Sequence, residues 1–138
     1  MSSSIACIIY KNGKILIAHR IPKGDMGDRW EFPGGKVDSG ETDQISIERE
    51  MMEEFGVKAF PGKKITSTTF YHKDKECFLN AYEVQLEHDG LEKPFVLTEH
   101  TEYKWVEPEV ISGLSFVDSD LKIYPEVLAY LRNRAEEL

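Results

Sequence analysis

The sequence predicts an α/β (α+β) sandwich in which helices pack on a mixed β-sheet. Its length of 138 residues is that of one domain, so residues 1-138 are expected to fold as a single unit. Short β-prone runs alternate with turn residues, and two longer stretches have helical spacing. Hydrophobic residues make up 41% of the chain and charged residues 30%, as in ordinary globular proteins.

A β-hairpin is predicted at the start of the chain. Residues 4–10 and 14–20 are apolar, β-prone runs that flank Asn12-Gly13. Asn-Gly tolerates positive φ at both turn positions, which makes it a strong hairpin indicator. A polar loop over residues 21–29 follows, and then a short apolar element, residues 30–35, broken by Pro-Gly-Gly.

The first helix is predicted to begin near Thr42 or Asp43, either of which could be the N-cap, and to end at Phe55. Gly56 is well placed to stop it. By helical spacing we expect three of its residues to face the core: Ile45, Met52 and Phe55.

The second half of the chain is predicted to hold three strands and a helix. Two strands, residues 64–72 and 76–85, are joined by a turn, and a loop over residues 87–102 leads to a short strand at 103–106. The last helix is expected at about 125–137, with Pro125 near its start. Its inward residues would be Val127, Leu128 and Leu131.

Composition also excludes several classes of function. The net charge of −8 argues against binding to a nucleic acid polymer, which favours a basic surface. No apolar run is long enough to cross a membrane, and the first residues do not resemble a secretory signal. Cys7 and Cys77 lie in apolar segments and are expected to be buried free thiols. A cytoplasmic location is therefore the default, and we expect a monomer or homodimer.

Three carboxylates share one face of the first predicted helix. Glu50, Glu53 and Glu54 stand at i, i+3 and i+4, so their like charges repel unless a cation holds them. Carboxylate oxygens suit Mg²⁺, with Mn²⁺ as an alternative. Arg49 could pair with Glu53 one turn later. On the cluster alone, a solvated acidic face explains the pattern equally well.

The surrounding sequence decides between these two interpretations. From residue 35 to 57 it has the pattern Gly35, five residues, Glu41, seven residues, then Arg-Glu-Met-Met-Glu-Glu-Phe-Gly-Val. This resembles the Nudix box, G-x5-E-x7-R-E-U-x-E-E-x-G-U with U apolar, at every defined position. Seven fixed identities at background frequencies near 5–7% give a chance match on the order of 10⁻⁹.

The resemblance implies a Nudix-type α/β/α sandwich, with a mixed β-sheet between helices, and a divalent metal site. On the family pattern the metal ligands are Glu50, Glu53 and Glu54, joined by the Gly34 carbonyl. Arg49 would orient the glutamates and Glu41 would support the loop, whereas Gly35 and Gly56 would serve backbone geometry.

Beyond the box the chain is similar to MutT-like triphosphate pyrophosphohydrolases. That resemblance implies phosphate contacts from Arg20 and Lys36, although an exposed strand-end arginine would look the same in sequence. It also implies that Glu99 binds metal or acts as the general base, with Glu102 as a competitor and Glu53 as the alternative base. His100 is a conceivable proton carrier, but a lone loop histidine is more often simply exposed.

The base pocket is harder to predict. Asp120 aligns with a base-reading Asn or Asp of MutT-like enzymes, and a helix N-cap is an equally good interpretation. Phe78, Asn80 and Tyr82 alternate along one strand face, which is either the pocket wall or an ordinary sheet face.

The function implied is Mg²⁺-dependent hydrolysis of a nucleoside triphosphate to monophosphate and pyrophosphate, with oxidised dGTP, CTP or dCTP as candidates. One alternative keeps the chemistry on ADP-ribose, a dinucleoside polyphosphate or another diphosphate. Another is a non-catalytic Nudix-fold ligand-binding module, which the complete set of box carboxylates disfavours.

Overall fold

The computed structural model describes residues 2–137. It contains eight strands, two α-helices and a 3₁₀ helix. In chain order these are β1 (Ser2–Ile8), β2 (Tyr10–Lys11), β3 (Lys14–Arg20), β4 (Trp30–Glu31), β5 (Gly34–Lys36), α1 (Asp43–Phe55), β6 (Ala59–His72), β7 (Lys75–Leu86), β8 (His100–Val106), the 3₁₀ helix Pro108–Gly113 and α2 (Asp118–Glu137).

The strands form two sheets. The first has the order β5-β1-β7-β6 and is mixed, since β1 is parallel to β7 and antiparallel to β5. In the second, which is antiparallel, β3 pairs with β2 and β4, and also with β8. Alternate strand residues belong to opposite cores: Ile5 and Cys7 pack with α1, whereas Ala6 and Ile8 pack with α2. The predicted sandwich, with a mixed sheet between helices, is confirmed.

The predicted hairpin turn is present, with φ of 54° at Asn12 and 80° at Gly13. The turn joins β2 to β3. The first predicted strand, however, is divided, because β1 belongs to the mixed sheet while β2 belongs to the antiparallel one. The Asn-Gly pair was enough to predict the hairpin turn, but it does not indicate that the strand before the turn is divided between two sheets.

The bounds predicted for the first helix are confirmed by its caps. The Thr42 hydroxyl accepts from the Ile45 N–H at 3.2 Å, and Gly56 ends the helix with a left-handed φ of 65°. The predicted core face was wrong in two of three residues, because Ile45 and Met52 are 51% and 53% exposed. The helix carries a second apolar stripe at i, i+4 and i+8, and this is the one that the sheets cover: Ile47, Met51 and Phe55.

The later elements begin earlier than predicted. β6 starts at Ala59, β8 at His100 and α2 at Asp118, so that Pro125 lies inside α2 rather than near its start. A proline there removes one helical hydrogen bond. Burial of Ile123, Val127 and Leu131, each at most 2% exposed, offsets that loss, while Leu128 is only partly buried. No helix in the described part of the chain is long and apolar enough to span a membrane.

Candidate active site

Arg49 is the centre of the carboxylate cluster on α1. Its Nε and Nη2 donate to the two oxygens of Glu41 at 2.7 and 2.9 Å, which is a bidentate pair. Its Nη1 donates to Glu50 at 2.9 Å and to Glu53 at 3.1 Å, and Nη2 also reaches the Lys36 carbonyl at 3.0 Å. This pairing holds the pKa of Glu41 below its usual range. The guanidinium therefore fixes the relative positions of the three glutamates.

Two of the carboxylates on α1 are buried or partly buried. Glu50 is 9% exposed, and burial raises its pKa against the opposing effect of Arg49. Burial raises the pKa of Glu54 to about 9, and the charges of Glu50, Glu31 and Glu99 add to that shift. Glu54 Oε2 is buried without a hydrogen-bond partner among the described residues. Buried carboxylates with raised pKa values favour the interpretation that the cluster binds a cation over the alternative of a solvated acidic face.

The double glycine lies against this cluster. A Cβ added to Gly35 would stand 2.7 Å from the carboxylate carbon of Glu50, so the glycine makes room for that side chain. Gly34 has a φ of 149°, and a Cβ there would meet the Ile5 carbonyl oxygen at 2.1 Å. Both positions therefore require glycine for reasons of space and backbone conformation.

The segment before β8 carries Glu99 to the C-terminal end of α1. Val96 N–H and Thr98 N–H donate to the carbonyls of Phe55 and Glu54 at 3.0 and 3.3 Å. Thr98 Oγ1 donates to the Glu53 carbonyl at 2.8 Å. These bonds satisfy carbonyls that a helix end otherwise leaves open. They also fix the position of Glu99 relative to α1.

A cavity of about 430 Å³ brings the predicted metal-binding side chains together. Its carboxylate lining consists of Glu31, Glu50, Glu53, Glu54 and Glu99, and the basic residues Arg20 and Lys23 also line it. Among the described residues, no three acidic, histidine or cysteine side chains already enclose a metal site. The donor set is nonetheless all oxygen, as Mg²⁺ prefers.

A second cavity, of about 510 Å³, adjoins the first and shares Arg20, Glu31 and Glu54 with it. Its walls include the apolar residues Phe32, Phe70, Leu79 and Val117. Its polar side contains Asp120, together with Asp118, Ser119 and Lys122. An apolar cavity with a few polar groups is the usual form of a small-molecule site.

Asp120 is 6% exposed, and its Oδ2 accepts from the Phe32 N–H at 2.9 Å. Burial and the charge of Glu31 raise its pKa to about 8. Asp120 is the third residue of α2, so the alternative that it is the helix N-cap was wrong. Its carboxyl group instead links α2 to Phe32 at the wall of the second cavity.

Three other predicted substrate residues lie outside both cavities. Phe78 and Asn80 are on the strand face opposite Leu79, and Leu79 lines the cavity in their place. The Asn80 amide donates to Asp43 at 3.1 Å, so its side chain is directed towards the start of α1. Lys36 is exposed, and it reaches the site only through its carbonyl oxygen.

His100 is not the exposed loop histidine that sequence suggested. It is the first residue of β8 and 6% exposed, and its ring stacks on Phe55 with centroids 5.3 Å apart. Its Nε2 lies 2.7 Å from Glu31 Oε2. Sequence reasoning missed Glu31 altogether, although a carboxylate between Trp30 and Phe32 was an available indication.

Comparison with known proteins agrees with this geometry. The model of the NUDIX domain family matches residues 2–127. A CTP pyrophosphohydrolase of Escherichia coli K12 is 30% identical over 129 residues, which cover 94% of this chain and 93% of that protein. An 8-oxo-dGTP diphosphatase of Haemophilus influenzae is 30% identical over 131 residues, with the same coverages of 94% and 93%.

Solved structures give the same result. The E. coli ORF135 protein superposes with a TM-score of 0.80 at 29% identity, covering 99% of this chain and 92% of that one. A MutT protein from Methanosarcina mazei Go1 has a TM-score of 0.78 at 24% identity, covering 96% and 94%, and so shares the fold. With a family match along nearly its whole length and all the box residues in place, the chain belongs to the NUDIX domain family and is a Nudix hydrolase.

Proposed function

We propose that the protein hydrolyses a nucleoside triphosphate to the monophosphate and pyrophosphate, with Mg²⁺ as its metal and Mn²⁺ as a substitute. The observation that carries the proposal is the junction of the two cavities. A carboxylate-lined cavity meets an apolar cavity at Arg20, Glu31 and Glu54. A nucleotide has the matching division, with its phosphate chain at one end and its base at the other.

The relatives support a triphosphate substrate. One is named a CTP pyrophosphohydrolase and another an 8-oxo-dGTP diphosphatase, each over more than nine-tenths of both chains. Oxidised dGTP, CTP and dCTP are therefore the first candidates. Nudix hydrolases generally need a divalent metal, and here Glu50, Glu53, Glu54 and Glu99 would hold it. The Gly34 carbonyl is the proposed further ligand, and Gly34 lines the adjoining cavity.

The residues of the chain have distinct roles in this proposal. When bound, the metal neutralises phosphate oxygens and makes the attacking water a better nucleophile. Arg49 keeps the helix glutamates in register, and Glu53 or Glu99 accepts the proton of that water. Arg20 contacts the phosphate chain, and Asp120 hydrogen-bonds the base from the far cavity wall.

The unpaired thiols support a reducing, cytoplasmic location, because Cys7 and Cys77 are both buried and free. We further propose that the chain acts as one domain on a small-molecule nucleotide, as a monomer or homodimer. Size-exclusion chromatography with light scattering measures that state directly.

The test is product release from a panel of normal and oxidised nucleoside triphosphates, ADP-ribose and a dinucleoside polyphosphate, with Mg²⁺ and with EDTA. Metal-dependent monophosphate and pyrophosphate from one triphosphate is the expected result. Cleavage of ADP-ribose or the dinucleoside polyphosphate instead would keep the site and replace the substrate. A panel with no turnover would favour a ligand-binding module.

Glu53→Gln tests the metal assignment. We expect kcat to fall by at least ~100-fold, because the amide removes a charge from the metal cluster. Glu48→Gln is the matched control, since Glu48 is an exposed glutamate on the same helix, and it should retain wild-type activity. Wild-type turnover by Glu53→Gln would show that Glu53 does not act in this way.

A further inference from the structure

One carboxylate, that of Glu31, holds two basic side chains at the boundary between the cavities. Its Oε1 accepts from Arg20 Nη1 at 3.1 Å, and its Oε2 lies 2.7 Å from His100 Nε2. The His100 side chain is 1% exposed, that of Glu31 is 15% and that of Arg20 is 38%. The cluster thus runs from the protein interior outward, with the guanidinium at its open end.

Strand pairing brings the three residues of this cluster together. Glu31 lies on β4, Arg20 on β3 and His100 on β8, and β3 pairs with both of the others. In the pairing of β3 with β8, His19 lies opposite Glu102, so a regular β-ladder would place Arg20 opposite Thr101. A β-bulge after His19 pairs Arg20 with His100 instead. Bulges of this kind redirect side chains beside active sites.

The inner end of the cluster is fixed by packing. The His100 ring stacks on Phe55 with centroids 5.3 Å apart and planes inclined by 29°. Phe55 is itself completely buried at the end of α1. Glu31 is therefore held by a histidine that cannot turn without disturbing the core.

The outer end of the cluster is open to a ligand. Arg20 lines both cavities with a side chain that is 38% exposed, whereas its Nε is buried and has no hydrogen-bond partner in the described part of the chain. A guanidinium presents paired N–H groups that match phosphate oxygens. The bond to Glu31 limits the directions in which that fork can point.

We infer that Glu31 is a positioning residue for the phosphate chain: anchored by His100, it holds the Arg20 guanidinium at the passage between the two cavities. This inference rests on the proposed function, since a phosphate chain must cross that passage to join a base in one cavity to metal-binding carboxylates in the other. Glu31 acts through Arg20 and needs no contact with the substrate.

The test is a double-mutant cycle on binding of inorganic tripolyphosphate with Mg²⁺, measured by calorimetry. Arg20→Ala and Glu31→Gln are each expected to weaken binding about tenfold. Because Glu31 acts through Arg20, the double variant should bind no more weakly than Arg20→Ala alone. Multiplied effects in the double variant, wild-type binding by Glu31→Gln, or no binding by the wild type would each overturn the inference.

A control and a second variant separate positioning from stability. Glu109→Gln breaks another glutamate–arginine pair, with Arg132 at 3.7 Å, and should bind as the wild type does because neither residue lines the two cavities. If Glu31→Gln folds poorly, as judged by thermal unfolding, His100→Leu provides the second variant. It should weaken tripolyphosphate binding several-fold when Arg20 is present and not when Arg20 is alanine.

Steady-state turnover provides a further test, because a purely structural role of Glu31 would not change KM. Glu31→Gln should raise KM for a nucleoside triphosphate more than it lowers kcat, whereas partial unfolding would lower the apparent kcat alone. Tripolyphosphate contains neither base nor ribose. A positive cycle in a protein that hydrolyses no triphosphate would therefore reject the proposed function and retain the role of Glu31.

Discussion

At the residue scale, Gly35 shows how closely backbone and carboxylates are fitted. A Cβ at this position would stand 2.7 Å from the Glu50 carboxylate carbon, nearer than non-bonded carbon atoms approach. The Glu50 side chain would have to move, and its bond to Arg49 at 2.9 Å would be strained or lost. The glycine is thus a condition for the position of Glu50.

Gly35→Ala is accordingly expected to lower kcat/KM at least ~10-fold, through displacement of Glu50, a proposed metal ligand. Steady-state hydrolysis of the substrate identified by the panel measures this. Gly113→Ala is the matched control, because a Cβ there has no neighbour within 4 Å, and its activity should be unchanged. An active Gly35→Ala enzyme would mean that Glu50 tolerates displacement.

How far sequence could predict these residues depends on the origin of each role. The box glutamates are neighbours on one helix, so spacing alone was enough to group them. The contacts of Glu31 depend on the pairing of three strands and on a β-bulge. No local sequence pattern predicts that register. Phe78 and Asn80 have the expected alternation, but alternation does not say which strand face meets α1.

At the element scale, α1 has two apolar stripes and only one of them is buried. Met51 is 0% exposed within the core, whereas its neighbour Met52 is 53% exposed. Both stripes satisfy helical periodicity, so sequence could locate the helix and its caps without fixing its rotation. Rotation follows from the tertiary packing of Ile47, Met51 and Phe55, and that packing directs Glu50 and Glu54 towards the cavities.

The two adjacent methionines provide a direct test of this rotation. Met51→Ala should lower the free energy of unfolding by about 2–5 kcal/mol, because it leaves a cavity in the core. Met52→Ala should change it by less than about 0.5 kcal/mol. Urea denaturation of both variants measures the difference. Equal losses would contradict the helix orientation described above.

At the scale of the whole molecule, the buried acid Asp120 links stability to pH. Its pKa is raised to about 8 by burial and by Glu31, so the folded protein retains a proton that the unfolded chain releases near pH 4. Stability from this group is complete below the unfolded pKa and is lost as pH rises towards the folded pKa. The slope is at most ~1.4 kcal/mol per pH unit.

We therefore expect Asp120→Asn to reduce the decline in unfolding free energy between pH 5 and pH 8, because the amide does not ionise. Its oxygen can still accept from the Phe32 N–H. Urea denaturation at both pH values measures the effect, with Asp25→Asn, at an exposed position, as control. Parallel curves for wild type and Asp120→Asn would show that Asp120 is already ionised in the folded protein.

Arg49 also has a consequence for the binding of metal after the chain has folded. Its guanidinium is a built-in counter-ion, bonded to Glu41, Glu50 and Glu53 before any ion arrives from solution. Part of the negative charge of the acidic helix is thereby offset before any metal binds, although no bond from Arg49 reaches Glu54 in the described part of the chain. A metal ion at Glu50 or Glu53 would compete with this internal partner, which would lower the affinity of the site for the ion. Occupancy would then follow the free concentration of the metal in the cell.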